Sequence, residues 1–328
     1  MADIVGQSIS LYGYWLSVPL GFVGHICSLI IFSSKNLRQS STGLLFIFLT
    51  LSDILYLGIS IRDFLTFTVK WSTLQSEYLC RFRTFIVSFS TVTSAWLLVL
   101  IALDRWIRVH FPYRQARICT QKVAICLIIF VCMCSTLFAS HVLQSEFSFT
   151  APGSSLCGPA RSSGTFYSIF YFNTWPILQL LITYMIPSCI MIICFVGVYS
   201  KLRFQQTLIV ASTRKERMQQ QMLILMVSSI ICFIICAIPY AIYRIFYLRS
   251  AINSISPIVT GTVSTLMTMN YCCNFYIHCL TSQLFRQTFI QQLKRVFIWC
   301  KKRQIGRDRR TVYPLPTINR KGGLPIIN

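Results

Sequence analysis

Chemistry in this chain is confined to a few polar residues set in long apolar surroundings. Asp104-Arg105-Trp106 lies near the end of one such stretch, within the run 103–111, and Pro112 closes it. An acid beside an arginine forms a charge pair that a few kcal/mol of bias can make or break. Asp53 stands in a second apolar stretch, where a charged carboxylate costs about 2.5–3.5 kcal/mol unless it is paired or hydrated. Its oxygens suit a hard cation; the alternatives are a protonated acid or a water bridge. Cys80 precedes Arg105 by 25 residues. As a helix that separation spans about 37 Å, a hydrocarbon core plus part of its interface. No His-Glu-x-x-His, Gly-x-Ser-x-Gly or glycine-rich phosphate loop occurs, so no catalytic set stands out and an enzyme is not expected.

The elements that must hold these residues are apolar spans. Of 328 residues, 55% are hydrophobic and only 12% charged, against roughly 25% charged in a soluble domain. Such a chain has too little polar surface to cover a water-facing globule. Seven stretches, near 11–33, 43–69, 79–109, 120–143, 173–203, 214–248 and 255–280, are long enough to cross a bilayer. The expected fold is an all-α membrane protein, a seven-helix bundle. It divides into an extracellular N-terminus (1–10), the bundle (11–281), an amphipathic helix (282–300) and a basic cytoplasmic tail (301–328). The first stretch lacks a basic leader and a cleavage pattern, so it reads as an anchor. A transporter would show duplicated halves and several mid-membrane charges, and neither is seen.

The net charge of +22 would suggest nucleic acid in a soluble protein. Its distribution argues for topology instead. Lys35 and Arg38, the run from Arg105 to Lys122, Lys201 to Arg217, and eleven basic residues between Arg286 and Lys321 fall on one side. Lys70, Arg81, Arg83, Arg161, Arg244 and Arg249 fall on the other. The excess places the tail in the cytoplasm and the N-terminus outside a plasma membrane, with anionic lipid as the tail's partner and no nucleic acid. Most of the 15 cysteines lie inside spans as small hydrophobes. Cys80 and Cys157 are the two on the outer side, which makes them the natural disulfide pair and the intervening loop a lid.

Seven spans, an outside N-terminus, the Cys80-to-Arg105 spacing and the Asp-Arg-aromatic triplet resemble rhodopsin-like (class A) G-protein-coupled receptors. The likeness covers roughly 11–300. Leu51-Ser52-Asp53 looks like the family's second-helix signature, and Pro187 and Pro239 match the prolines of its fifth and sixth helices. Within a span each proline frees a carbonyl and permits a kink. Asn274 with Tyr276 and Ile277 stands where the seventh-helix Asn-Pro-x-x-Tyr motif would be. The resemblance implies that Asp53, Ser94, Asn270 and Asn274 form a polar cluster, a sodium site in many members. It also implies that Arg105 pairs with Asp104 at rest and is released to meet a heterotrimeric G protein, with Arg108, Lys215 and Arg217 in the contacting surface. After the seventh span, Phe285, Phe289, Leu293, Val296, Phe297 and Cys300 share one helical face, as in a helix lying at the membrane interface. Cys300, beside a Lys-Lys-Arg run, is a candidate for palmitoylation or a free thiol.

Departures from the family pattern are equally specific. His25 replaces the first-helix asparagine, Ala237 the sixth-helix toggle tryptophan, Phe195 the fifth-helix tyrosine, and Phe275 and His278 two residues of the seventh-helix motif. They imply a divergent branch, peptide-receptor-like or chemosensory, whose switch runs differently. Val87 stands where amine receptors carry an aspartate, which argues against an amine ligand. Asp63, Val87, Tyr240, Arg244 and Tyr271 are the ligand-pocket candidates. Arg244 suits a peptide or a carboxylate, its alternative being a residue that snorkels to the interface. The expected ligand is an extracellular neuropeptide, or alternatively a small molecule met by a chemosensory receptor.

Overall fold

A computed structural model describes residues 2–33, 40–65, 69, 76–149, 157–160, 163–208, 214–249, 256–281, 283, 285–287 and 289–294. The chain is a helical bundle: α1 (Ala2–Phe32), α2 (Ser41–Asp63), α3 (Glu77–His110), α4 (Gln121–Ala139), α5 (166–208), α6 (Arg214–Arg249), α7 (Pro257–Cys272) and α8 (Asn274–Thr281). Side-chain caps fix several starts. Ser40 accepts from Gly43 N at 3.0 Å, and Thr120 accepts from Val123 N at 3.3 Å. A two-stranded antiparallel pair, β1 (Ser148–Phe149) and β2 (Cys157–Gly158), lies between α4 and α5.

Among the described residues, six helices are long and apolar enough to cross a membrane: Ile4–Phe32, Ser41–Arg62, Glu77–His110, Gln121–Leu143, Phe166–Arg203 and Val227–Leu248. The pattern on α4 shows what surrounds them. Ala124, Ile128, Val131, Ser135 and Ala139 form one narrow buried stripe. Leu127, Ile129, Phe130, Met133 and Leu137 face outward and exposed. An outer surface that apolar belongs in lipid.

Three boundaries differ from the sequence reading. α1 begins at Ala2, well before residue 11, because its first turns dock closely on α7. A Cβ built on Gly6 would come within 2.4 Å of the Pro257 carbonyl carbon, so glycine is what permits the approach. The fifth helix begins at Phe166, not near 173, since Thr165 caps Ser168 N and Tyr167 and Tyr171 bury beside the disulfide. The stretch expected at 255–280 is two helices, α7 and α8, separated by a bend at Cys273.

α5 carries a repeated irregularity with one cause. Its π-helical segments, Phe170–Thr174 and Leu180–Met185, each end two residues before a proline, Pro176 and Pro187. Proline supplies no amide hydrogen and its ring crowds the preceding turn, and the wider π turn absorbs both. Trp96 of α3 donates its indole N–H to the Ile182 carbonyl inside the second segment, at 3.2 Å. Pro239 lies inside an otherwise continuous α6.

The main core joins α2, α3, α5, α6 and α7 around Leu57, Leu97, Val99, Tyr184, Met191 and Met267. A second cluster sits under Cys80 at one end, and a third at the other end packs Phe32, Phe275 and Phe285 together.

Candidate functional site

Polar residues are arranged in three layers along the bundle axis. At one end the helices enclose a cavity of about 430 Å³. Among the described residues its walls carry six tyrosines (Tyr14, Tyr56, Tyr171, Tyr240, Tyr243 and Tyr247) and two arginines (Arg83 and Arg244). Val87, Tyr240 and Arg244 line it, as the sequence suggested. Tyr271 does not: it is buried just below, stacked on Tyr56 with ring centroids 3.8 Å apart. The Asp63 side chain lies outside the described residues, and so do Lys70, Trp71 and Arg249. Arg83, Tyr14, Tyr56 and Tyr171 were not legible as pocket residues, because only the packing of four helices turns them to one space.

The cavity wall is fastened covalently. Cys80 at the start of α3 is joined to Cys157 of β2, with Cα atoms 5.8 Å apart. Cys157 itself lines the cavity. Arg81 reinforces the attachment, donating to the carbonyls of Phe147 at 2.7 Å and Ser145 at 3.0 Å. The expected disulfide is present.

In the middle layer Asp53 is fully buried. Ser94 of α3 donates to one carboxylate oxygen at 2.7 Å, and the Asn274 amide donates to the other at 2.8 Å. Asn270 is buried on α7, yet among the described residues it makes no hydrogen bond to Asp53. Two of its three expected partners are therefore in place. The Nε2 of His25 meets the Tyr271 carbonyl at 2.8 Å, just before the bend at Cys273. Ala237 is wholly buried, and one turn earlier on α6 Phe233 meets Tyr184 at a centroid distance of 6.0 Å.

The layer at the opposite end differs from expectation. Asp104 is not paired with Arg105. Arg108, one helical turn on, donates to its carboxylate from Nε at 2.8 Å. Ser41 and Thr42 at the start of α2 each donate to it at 2.7 Å, and Arg108 also donates to Ser41 Oγ at 2.8 Å. The reason is geometric. Residues four apart lie on one helix face whereas adjacent ones diverge by about 100°, so Arg108 shares the α2-facing side with Asp104. Arg105 makes no hydrogen bond or ion pair among the described residues. Trp106 turns to α5, where its Nε1 would lie 2.7 Å from a Cβ on Gly197, and its ring stacks on His110 at 4.7 Å.

Beyond α8, residues 285–287 and 289–294 are helical. Phe285 is buried against Phe32, Phe275 and His278, while Arg286 donates to the carbonyls of Cys279 and Leu280. The side chains of Lys215, Arg217, Val296, Phe297 and Cys300 lie outside the described residues.

Comparison with known proteins bears on this arrangement. The family described as 7 transmembrane receptor (rhodopsin family) matches residues 25–279. Galanin receptor 2a of Danio rerio is 21% identical over 308 residues, covering 92% of this chain and 81% of its own length. Chemerin-like receptor 2 of Mus musculus is 24% identical over 289 residues, with 86% and 78% covered. Neuromedin U receptor homolog nmur-2 of Caenorhabditis elegans is 23% identical over 282 residues, with 78% and 70% covered.

Proposed function

The chain belongs to the rhodopsin family of seven-transmembrane receptors, and we propose that it passes an extracellular signal to a heterotrimeric G protein at the plasma membrane. The family is one of multi-pass signalling receptors, not of enzymes. In this reading α7 and α8 together form the seventh crossing, and the helical residues after 283 lie along the inner leaflet. The cavity and disulfide face outside, while Arg105 and the basic tail face the cytoplasm. The asymmetry of lysine and arginine across the loops supports that orientation.

One observation carries the coupling proposal. Asp104 is fully engaged by Arg108, Ser41 and Thr42, which leaves the neighbouring Arg105 without a carboxylate of its own. Five guanidinium donors at the cytoplasmic mouth suit the carbonyl or carboxylate groups of a docking segment. Lys215 and Arg217, at the start of α6, would extend the contact. A peptide is the ligand we infer first, supported by the likeness to a galanin receptor, a chemerin-like receptor and a neuromedin U receptor homolog. A small molecule is the second reading, favoured by the modest cavity of about 430 Å³.

Asp53 fits a hard cation by donor type. It is wholly buried, no basic side chain pairs with it among the described residues, and the Ser94 hydroxyl lies against it. A sodium ion there would offset the buried charge, and Asp53→Asn should abolish any sodium dependence of ligand binding.

The decisive experiment screens peptide and small-molecule libraries through a promiscuous G protein, then repeats the response with Arg105→Ala at matched surface expression. Ligand-stimulated nucleotide exchange should fall at least tenfold. Exchange at the wild-type level would remove Arg105 from the mechanism.

A further inference from the structure

We propose that Cys232 and Cys236 form a metal site within α6 that binds a soft d10 ion, zinc(II) or copper(I), as a bis-thiolate. The two residues are four apart on one helix and so share a face. Their sulfurs lie 3.9 Å from each other. Two thiolates bound to one ion at about 2.3 Å each stand about 3.8 Å apart at a tetrahedral angle and about 4.0 Å apart at a trigonal one. The side chains therefore already hold the spacing that such an ion requires. Thiolate donors select zinc and copper(I) over the hard cations that suit carboxylates.

The pair sits where the backbone ladder of α6 is interrupted. Pro239 lies inside the helix, and having no amide hydrogen it cannot donate to the Ile235 carbonyl four residues back. Ile235 lies between the two cysteines, so a metal bridge staples the turn that the proline loosens. Tyr240, one turn beyond Cys236 on the same face, lines the cavity, which sets the thiols beneath that wall. Cys236 is buried and Cys232 half-buried. Each thiol gives up its proton to water as its sulfur–metal bond forms. With zinc the two thiolates balance the ion, and no net charge is left in the apolar bundle; with copper(I) one negative charge remains. Among the described residues no third His, Cys, Asp or Glu completes the group, so the ion keeps open positions and exchanges.

The full chain in lipid nanodiscs is titrated without oxygen against a chromophoric competing chelator, with zinc(II) in one arm and copper(I) in the other. In at least one arm the wild type should bind one equivalent more than Cys232→Ser or Cys236→Ser. The double variant should lose no more than either single one, because the two sulfurs share one ion. A second measurement needs no variant. At an ion concentration tenfold above the dissociation constant, methanethiosulfonate labelling of Cys232, read by mass spectrometry, should fall about tenfold, while labelling of the exposed Cys189 stays as it was. The ion that protects at the lower concentration is the one the site selects. Equal stoichiometry in wild type and both single variants, a loss of two equivalents in the double variant, or Cys232 labelling indifferent to both ions overturns the proposal. Neither measurement uses a ligand or a G protein, so the outcome is independent of the receptor reading.

Discussion

Removing Arg108 should weaken signalling by capturing Arg105. In the structure the Asp104 carboxylate is saturated by three short donors, Arg108 Nε at 2.8 Å and Ser41 and Thr42 at 2.7 Å, and by a longer contact from the second Arg108 nitrogen at 3.4 Å. Arg108→Ala removes both guanidinium contacts and leaves a carboxylate that is 7% exposed with two hydroxyls as its remaining donors. A hydrogen bond to a charged group contributes about 1.5–3 kcal/mol. The Arg108 side chain is 29% exposed, so the lower part of that range applies, about 1.5–2 kcal/mol. Among the described residues, Arg105 is the other cation whose charge acts on that carboxylate. Transferring even 1.4 kcal/mol of that stabilisation to an Asp104–Arg105 pair shifts the free fraction of Arg105 about tenfold. Ligand-stimulated nucleotide exchange at matched surface expression should therefore fall about tenfold in Arg108→Ala. Adding Asp104→Asn, which removes the competing charge, should restore most of it. Exchange that is unchanged or raised in the single variant, or not restored in the double variant, refutes the reasoning.

Three further substitutions probe the scaffold. Trp96→Phe strands the Ile182 carbonyl in the second π segment of α5 and should cost about 1–3 kcal/mol, read as a lower thermal midpoint of the purified protein; Trp96→Phe melting with wild type would show that the carbonyl finds another donor. His25→Leu removes the donor to the Tyr271 carbonyl and should reduce surface expression through a loss of about 1–3 kcal/mol, whereas His25→Asn, which keeps a donor, should recover at least half of it. Gly197→Ala drives a methyl to within 2.7 Å of the Trp106 indole nitrogen, an overpacking of about 1–3 kcal/mol, and pairing it with Trp106→Leu should relieve the thermal defect that the single change produces.

The divergent positions hold the bundle together through altered contacts. The bend between α7 and α8 survives without the motif proline, because His25 occupies the freed carbonyl of Tyr271 from α1. Phe275 then serves packing, meeting Phe285 and Phe289 at centroid distances of 6.0 and 5.4 Å. His278 is enclosed by Phe46 and Phe285 rather than aimed at the Asp53 layer. Tyr276 donates to the Leu20 carbonyl on α1. With Ala237 in place of a tryptophan, the floor of the cavity is the Tyr56–Tyr271 stack, and Tyr271 lies one turn before Asn274.

What the amino-acid order determined by itself was everything that depends on distance along the chain and on polarity. Hydropathy marked the spans, since a bilayer admits only apolar helices of sufficient length. Charge asymmetry set the expected orientation, and Cys80 with Cys157 emerged as the bridge because the loops left those two on one side. Asp53 stood out because an acid in an apolar run is costly. Ser94 and Asn274 were reached through resemblance. Only the tertiary structure decided which way each side chain turns. Asp104 and Arg105 are neighbours in sequence, yet helical rotation sends the acid to α2 and Arg108. Tyr271, expected to line the cavity, lies beneath it, and Arg83, which was not among the candidates, lines it. Periodicity locates a residue on a helix face, but which neighbour that face meets depends on helix rotation, close glycine contacts and proline-driven π turns, all of which arise from residues far away in sequence.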